Sequence, residues 1–539
     1  MNPGVVAAEP QGLPAAGAPR PRIDALVVAL ARLVARIFFR EIEVVGAARL
    51  PPSGPLLVVA NHQNGMIDPL LIAATLPAGG PGGAGGRRAS GGRMPRFLAT
   101  HLAWHNLALR PWLQLGGVIP IYRPKDVGAA VDPARNVASF SRCHEQLARG
   151  GVVALFPEGI SHSEPSLVPL KTGAARIVLE AARRFPRLSP LIVPIGLTFE
   201  ARGTFRSRAL LEIGEPIDPA HEIALDRNDA SDAKDAQDAK DAKQGVRAPG
   251  AASAPAVRAL TARIDAGLKA VTLNYGSWEE ACRIGRAAEL FSPAPSGAAA
   301  VAAVAAGTGA GLPGEPALAE RFSLHRALIE GYAELRRRHP ERTAAAAVAV
   351  DRYDRMLGAL GVRDDQVAAS YPAAPAVLWV ARTVLRLLVY LPLAVVGIVL
   401  NWLPYRVVGE IAARAARTPD VPASFKVFGG IVLFPLAWLL EAALAASLAG
   451  PPSTWRAGAA LLTLAAAPLT GWIALRFDDR RGQLWREARA YLLLRTRRAI
   501  ATELRVRRAA AAREVATLAD LYQAPAGAGP GRRGGAMGA

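Results

Sequence analysis

The chain has 539 residues, of which 51% are hydrophobic, with a net charge of +20 and only two cysteines. The length admits more than one domain. Two cysteines, Cys143 and Cys282, exclude a disulfide framework and have no metal-ligand spacing, so both read as reduced thiols suited to a cytoplasmic face. The positive charge admits nucleic acid as a partner. However, no RNA- or DNA-binding motif accompanies it, and anionic lipid head groups or phosphorylated substrates explain it equally well.

The first 22 residues are rich in Pro, Ala and Gly and read as disordered, without the basic start and apolar core of a signal peptide. A helix is expected over 23–40. Ile23, Leu26, Val27, Leu30, Leu33, Val34, Ile37 and Phe38 recur at helical spacing, and Arg32, Arg36 and Arg40 form a row on another face. That pattern fits a basic amphipathic helix on a membrane surface. It fits equally a first helix packed on its own core.

From 41 to 222, short β-rich runs alternate with helical patterns. Strands are expected at 56–60, 118–122, 152–156 and 191–197, each apolar and bounded by Gly or Pro. Helices are expected at 133–149 and 171–185, which makes an α/β domain with a largely buried sheet. The insert at 79–93, almost all Gly, Arg and Ser, reads as a mobile loop. The Asp/Lys/Ala-rich run at 226–249 reads as a solvated linker or a marginal exposed helix. Residues 256–370 look mostly helical, with an Ala/Gly-rich interruption at 297–312.

Three apolar runs follow, near 384–405, 427–449 and 457–475. Each approaches or exceeds the roughly 20 residues that cross a bilayer. Arg382 and Arg386 precede the first run, Arg406, Arg414, Arg417 and Lys426 follow it, and only Arg456 separates the last two. The positive-inside rule therefore favours a hairpin of the last two runs and a re-entrant first run, broken at Pro392.

Four short segments carry chemistry. The first, Val58-Val59-Ala60-Asn61-His62-Gln63-Asn64-Gly65-Met66-Ile67-Asp68-Pro69, runs from a strand into a polar turn that presents His62 and Asp68 close together. A neutral imidazole takes a proton from an alcohol when a carboxylate fixes its tautomer and stabilises the imidazolium. This is the base-and-orienter part of a triad without a protein nucleophile, so the substrate's hydroxyl would attack. Taken singly, a histidine capping a helix beside a turn aspartate has the same pattern.

The second segment, 117–124, is a short strand ending in Arg123 before Pro124; a guanidinium fork matches phosphate oxygens. In the third, an apolar strand ends at Pro157, and a Gly turn sets Glu158 and Ser161 at its mouth. Lys171-Thr172-Gly173 follows and opens a helix whose N-terminal amides suit an anion. The fourth, 192–197, is a strand in which Pro194 and Gly196 permit close approach of another group.

Together and in this order, the four segments resemble the glycerolipid phosphate-acyltransferase family over roughly residues 40–220. That family's pattern is Asn-His with a following Asp, Gly with a following Arg, Phe-Pro-Glu-Gly-x-Ser, and Val-Pro-Ile/Val-Gly. The resemblance implies a catalytic dyad of His62 and Asp68. It also implies acceptor binding by Arg123, Glu158, Gly159 and Ser161, with Pro194 on the acyl side; Lys171 or Arg176 is expected to help Arg123 anchor the acceptor phosphate. One departure is five residues, rather than four, between His62 and Asp68. The longer form looks like the branch of glycerol-3-phosphate and dihydroxyacetone-phosphate acyltransferases, and its extra residue is expected to be absorbed at Gly65.

The expected fold is thus an α/β acyltransferase domain with a mixed, largely buried sheet, then a helical region and a C-terminal helical membrane domain. The expected divisions are a disordered 1–22, an acyltransferase domain with its amphipathic helix at 23–222, and a charged linker at 223–256. A helical region at 257–370, membrane-embedded helices at 371–480 and a basic tail at 481–539 complete the chain. The expected function is membrane-bound O-acyl transfer from acyl-CoA or acyl-carrier protein to glycerol-3-phosphate or dihydroxyacetone phosphate. A lysophospholipid acceptor, 1-acylglycerol-3-phosphate, is the nearer rival, and a non-enzymatic membrane scaffold with a degenerate fold is the more distant one. The partners implied are a phospholipid membrane, the glycerol phosphate acceptor and the acyl thioester donor, with no metal, no other cofactor and no nucleic acid. The catalytic domain is expected on the cytoplasmic face of a bacterial inner membrane.

Overall fold

The computed structural model describes residues 20–76, 93–105, 110–122, 133–202, 204–238, 252–291, 317–368, 373–415, 422–451 and 453–523. The expected mobile insert apart from Arg93, the interruption at 297–312, nearly all of the expected disordered N-terminus and Arg123 lie outside those residues. The chain divides into two compact units. The first comprises Met1–Asn274 with Val407–Val432, and the second comprises Tyr275–Arg406 with Leu433–Ala539.

The first unit is built on a seven-stranded sheet. Its strands are β1 (Phe39–Val45), β2 (Leu56–Ala60), β3 (Arg96–Thr100), β4 (Ile119–Ile121), β5 (Val152–Leu155), β6 (Leu191–Phe199) and β7 (Ser207–Ile213), in the order β1-β7-β6-β2-β5-β3-β4. Every neighbouring pair is parallel except β6 and β7, so the sheet is mixed as expected. Side-chain alternation sends Leu56, Val58 and Ala60 of β2 into one apolar cluster and Leu57 and Val59 into another, and all five are buried. A strand covered on both faces reads as a continuous apolar run. The helices are α1 (Pro21–Phe38), α2 (Ile67–Thr75), α3 (Arg110–Leu115), α4 (Pro133–Ala148), α5 (Gly173–Arg184), α6 (Ala220–Asp238) and α7 (Ala254–Ala270). Residues of α1 and α2 fill the first cluster, and residues of α4, α5 and α7 fill the second.

Helix α1 packs one face on the core and leaves apolar side chains exposed on another. Val28, Ala31, Val34, Ala35 and Phe38 are buried in the core, whereas Leu26, Leu33 and Ile37 are more than half exposed. Its start is tied to β3 by a two-pronged pair, Arg96 to Asp24, at 2.8 and 2.9 Å. Val427 is also buried in the first cluster, with Ile431 packed against it, and Phe428 faces Trp112 with ring centroids 6.4 Å apart. The run expected to be a charged linker continues as helix α6 to Asp238 and leaves the described residues at 239.

The second unit is helical among its described residues: α8 (Trp278–Phe291), α9 (Leu318–Arg338), α10 (Pro340–Leu360), α11 (Asp364–Ala368), most of α12 (Ala373–Ala415) and α13 (Pro422–Leu448), α14 (Ser453–Thr496) and α15 (Arg498–Gln523). Its soluble-type core gathers Tyr353, Leu357, Leu504 and Ala511. The Tyr353 hydroxyl donates to Asp364 at 2.6 Å, and Arg508 grips the same carboxylate at 2.9 and 3.0 Å.

Among the described residues, three helices are long and apolar enough to cross a membrane: Val380–Arg414, Phe425–Leu448 and Ser453–Thr496. These mark a membrane protein. The first corrects the expected break, because α12 runs unbroken through Pro392 and Pro404. Proline is tolerated within apolar spanning helices because neighbouring groups take up the carbonyls it frees. Asn401 ties three of these helices together. Its amide donates to the carbonyls of Gly397 at 2.9 Å and Ala467 at 3.1 Å, and it accepts the Trp438 indole N–H at 2.9 Å. Gly397 allows the approach: a Cβ there would lie 2.1 Å from the Thr470 carbonyl oxygen.

Candidate active site

Strands β2, β3, β4 and β5 run parallel, so their carboxyl ends share one edge of the sheet. In α/β sheets this edge is where ligands are bound. The segment carrying His62 follows β2, the one carrying Arg123 follows β4, and the one carrying Glu158 and Ser161 follows β5. Topology thus gathers stretches up to a hundred residues apart in sequence.

As β2 ends, Asn61 turns inward. Its amide donates to the Leu197 carbonyl at 2.9 Å and accepts the Leu197 N–H at 2.7 Å, which extends the β2–β6 pairing by one side chain. His62 comes next, at the mouth of the site, with its side chain 19% exposed. Its Nδ1 lies 2.9 Å from Asp68 Oδ2. The same oxygen accepts the backbone N–H groups of Gln63 and Asn64, each at 2.8 Å. Asp68 is fully buried and sits in the first turn of α2, where the positive end of the helix dipole favours an anion. In the turn before α2, Gly65 takes a left-handed φ of 52°. With Nδ1 engaged by a carboxylate, Nε2 is the ring nitrogen left for proton transfer. The His62 ring lies flat on Phe156, with centroids 4.1 Å apart at 15°.

Glu158 is buried beneath this turn. Its Oε1 accepts the His62 N–H at 2.8 Å, and its Oε2 accepts the Val168 N–H at 3.2 Å and pairs with His162 Nε2. Gly159 bends the chain here with a φ of 71°. Ser161 Oγ accepts the Gly65 N–H at 3.2 Å, and the His162 N–H donates to the His62 carbonyl at 3.2 Å. Lys171 is exposed just ahead of α5, and its backbone N–H is held by the Pro157 carbonyl at 2.7 Å.

The structure therefore brings together His62, Asp68, Glu158, Gly159, Ser161 and Lys171. Arg123 lies outside the described residues, two positions beyond the end of β4. The strand end before it is fixed by Asn136, which both donates to and accepts from the Tyr122 backbone at 2.7 and 3.0 Å. Pro194 is buried on β6, paired with Val59 of β2 and packed against the backbone of Gly214 and Gly267. The close approach that Gly196 permits is made by the Val271 carbonyl, just past α7, not by a ligand.

Sequence reasoning missed three contributors. Asn61, Phe156 and Arg202 sit in or beside the quoted segments without a residue type that announces a role. The Arg202 carbonyl accepts the Asn64 side chain at 2.8 Å. Burial lowers the Arg202 pKa, and the nearby Asp68 charge works against that lowering. Among the described residues, no three His, Cys, Asp or Glu side chains converge as a metal set.

Comparison with known proteins finds matches in both parts of the chain. The family described as Acyltransferase matches residues 41–198, from β1 into β6. The Glycerol-3-phosphate acyltransferase 2 C-terminal domain matches residues 314–525. Glycerol-3-phosphate O-acyltransferase 2 of Saccharomyces cerevisiae is 45% identical over 82 residues, covering 15% of this chain and 11% of that protein. Glycerol-3-phosphate O-acyltransferase 1 of the same yeast is 38% identical over 84 residues, covering 16% and 11%. Human 1-acyl-sn-glycerol-3-phosphate acyltransferase alpha is 33% identical over 142 residues, covering 26% and 42%. The chain thus spans less than half the length of each of these relatives. The α/β unit and the C-terminal helices are thus each similar to parts of glycerolipid acyltransferases.

Proposed function

We propose that the chain is a membrane-bound O-acyltransferase that moves a fatty acyl group from a thioester donor, acyl-CoA or acyl-carrier protein, to the hydroxyl of a phosphorylated glycerol acceptor. The observation that carries the reading is the 2.9 Å contact between His62 Nδ1 and a buried Asp68, whose other bonds come from the turn around it. In this reading His62 Nε2 takes the acceptor's hydroxyl proton as the oxygen attacks the thioester carbonyl. The carbon–sulfur bond breaks, and the leaving thiolate recovers the proton from the imidazolium. Asp68 holds the tautomer and balances the developing charge. Arg123 and Lys171 supply the cations for the acceptor phosphate, and the Gly159–Ser161 turn shapes the space beside them. The catalytic unit faces the cytoplasm, where the thioester donors are made.

Two acceptors have support. The match to a 1-acyl-sn-glycerol-3-phosphate acyltransferase covers the larger share of both chains and favours a lysophospholipid. The C-terminal family match and the two yeast relatives favour glycerol-3-phosphate. The test is acyl transfer by the full chain in lipid nanodiscs, with palmitoyl-CoA or palmitoyl-acyl-carrier protein as donor. Glycerol-3-phosphate, dihydroxyacetone phosphate and 1-acylglycerol-3-phosphate serve as acceptors, and wild type is compared with His62→Ala. Transfer to one acceptor that the variant abolishes supports the reading and names the acceptor. No transfer under any pairing, or an equally active variant, sinks it.

A further inference from the structure

We infer that Glu158 and His162 form a second carboxylate–imidazole pair whose task is to hold the His62 backbone, which makes them positioning residues rather than ligands of the acceptor. This rests on the reading of His62 as the base.

Each oxygen of Glu158 is engaged by the chain itself. Oε1 takes the His62 N–H, and Oε2 takes the Val168 N–H and the His162 ring. The carboxylate is 1% exposed, so little of it is left for a ligand. An acceptor phosphate would also be repelled by a buried anion, because like charges in a water-poor site interact strongly.

His162 completes the clamp. Its Nδ1 accepts the Glu164 N–H at 3.1 Å, which places the ring proton on Nε2, toward Glu158. Its backbone N–H meanwhile donates to the His62 carbonyl at 3.2 Å. Both polar groups of the His62 peptide backbone are therefore taken by this one pair. Ser161 adds a third tie through the Gly65 N–H. Asp68 fixes how the His62 ring is turned, and Glu158 with His162 fixes where the ring sits above Phe156. A displacement of about 1 Å at a reacting group costs on the order of 100-fold in rate.

The test uses the full chain in nanodiscs, with palmitoyl-CoA as donor and glycerol-3-phosphate or 1-acylglycerol-3-phosphate as acceptor. Two readouts are taken on wild type, His162→Ala and His162→Gln: kcat against acceptor KM, and amide exchange over residues 62–65. The expected result for His162→Ala is a kcat reduced roughly 10- to 100-fold, an acceptor KM within about twofold of wild type, and faster exchange at 62–65. His162→Gln keeps an N–H donor for Glu158 and restores most of both. If His162→Ala loses its fold, His162→Gln decides: near-wild-type kcat and exchange support the clamp. A raised acceptor KM at unchanged kcat overturns it in favour of a ligand role, and so does unchanged exchange at 62–65. If wild type acylates neither acceptor, the exchange readout decides alone: faster exchange at 62–65 in His162→Ala upholds the clamp and unchanged exchange overturns it, while the proposed function fails only if the acyl-carrier-protein donor and dihydroxyacetone phosphate also give no transfer.

Discussion

Asn61 and Leu197 close on each other across the ends of β2 and β6, the asparagine amide donating at 2.9 Å and accepting at 2.7 Å. Both partners are buried, so neither can turn to water. Asn61→Ala leaves a buried N–H and a buried carbonyl unpaired, and each such loss costs about 1–3 kcal/mol. The variant should unfold at a distinctly lower temperature in a thermal scan of the detergent-solubilised chain. An unchanged midpoint would mean that water replaces the amide.

Asp68→Asn tests charge apart from shape. An asparagine oxygen can still accept from Gln63, Asn64 and His62, but it cannot balance an imidazolium. The expected result is a folded protein whose kcat falls roughly 10²- to 10⁴-fold. Circular dichroism and turnover measured side by side check it, and turnover near wild type would remove the base role from His62.

The buried His144 supplies a pH signature for the first unit. Burial, reinforced by Arg184, pushes its pKa down to about 4, and this outweighs a Glu180 carboxylate 3.9 Å away. The folded state thus keeps the ring neutral, while the unfolded chain protonates it near pH 6.5. Stability is unaffected above about pH 6.5, falls as the pH drops from there to about 4, and levels off below. The full loss from this one group is on the order of 3 kcal/mol. His144→Leu should flatten that part of the stability–pH curve, as read by denaturant unfolding at pH 7 and pH 5. Equal slopes in variant and wild type would contradict the assignment.

Within the apolar helices, Asn401→Leu removes three hydrogen bonds at once, and Gly397→Val drives a side chain into the Thr470 backbone. Interhelical hydrogen bonds in membranes contribute about 0.6–2 kcal/mol each. Resistance to unfolding by SDS should drop modestly for the first variant and severely for the second. If Gly397→Val unfolds like wild type, the close helix crossing is wrong.

Much of this was legible in the sequence. The strand at Leu56–Ala60 has the expected bounds, and the expected β4, β5 and β6 differ from the observed ones by no more than two residues at either end. Those strands are apolar runs buried on both faces, which is the pattern sequence reading sees best. Three strands were missed, each for a reason. In β1 and β7 the charges Glu41, Glu43 and Arg208 look like surface residues, but Arg208 is buried between the two glutamates at 2.8 and 2.9 Å. In β3, Arg96 conceals the strand and is itself buried on Asp24. At the site, the spacing of His62 and Asp68 was readable because both lie in one turn. The link from Glu158 to His62 was not, because it joins the ends of two strands 96 residues apart.

Val427, buried beside Val28, Phe38 and Leu71, bears on how the protein can be taken apart. It is contributed by a segment that follows the first apolar helix in sequence, yet it belongs to the unit that carries His62. A fragment ending at Asn274 would therefore bare an oily scar where Val427, Phe428 and Ile431 had been. Attempts to express the α/β part alone should yield aggregates, and a soluble version would need that scar recoated with polar side chains.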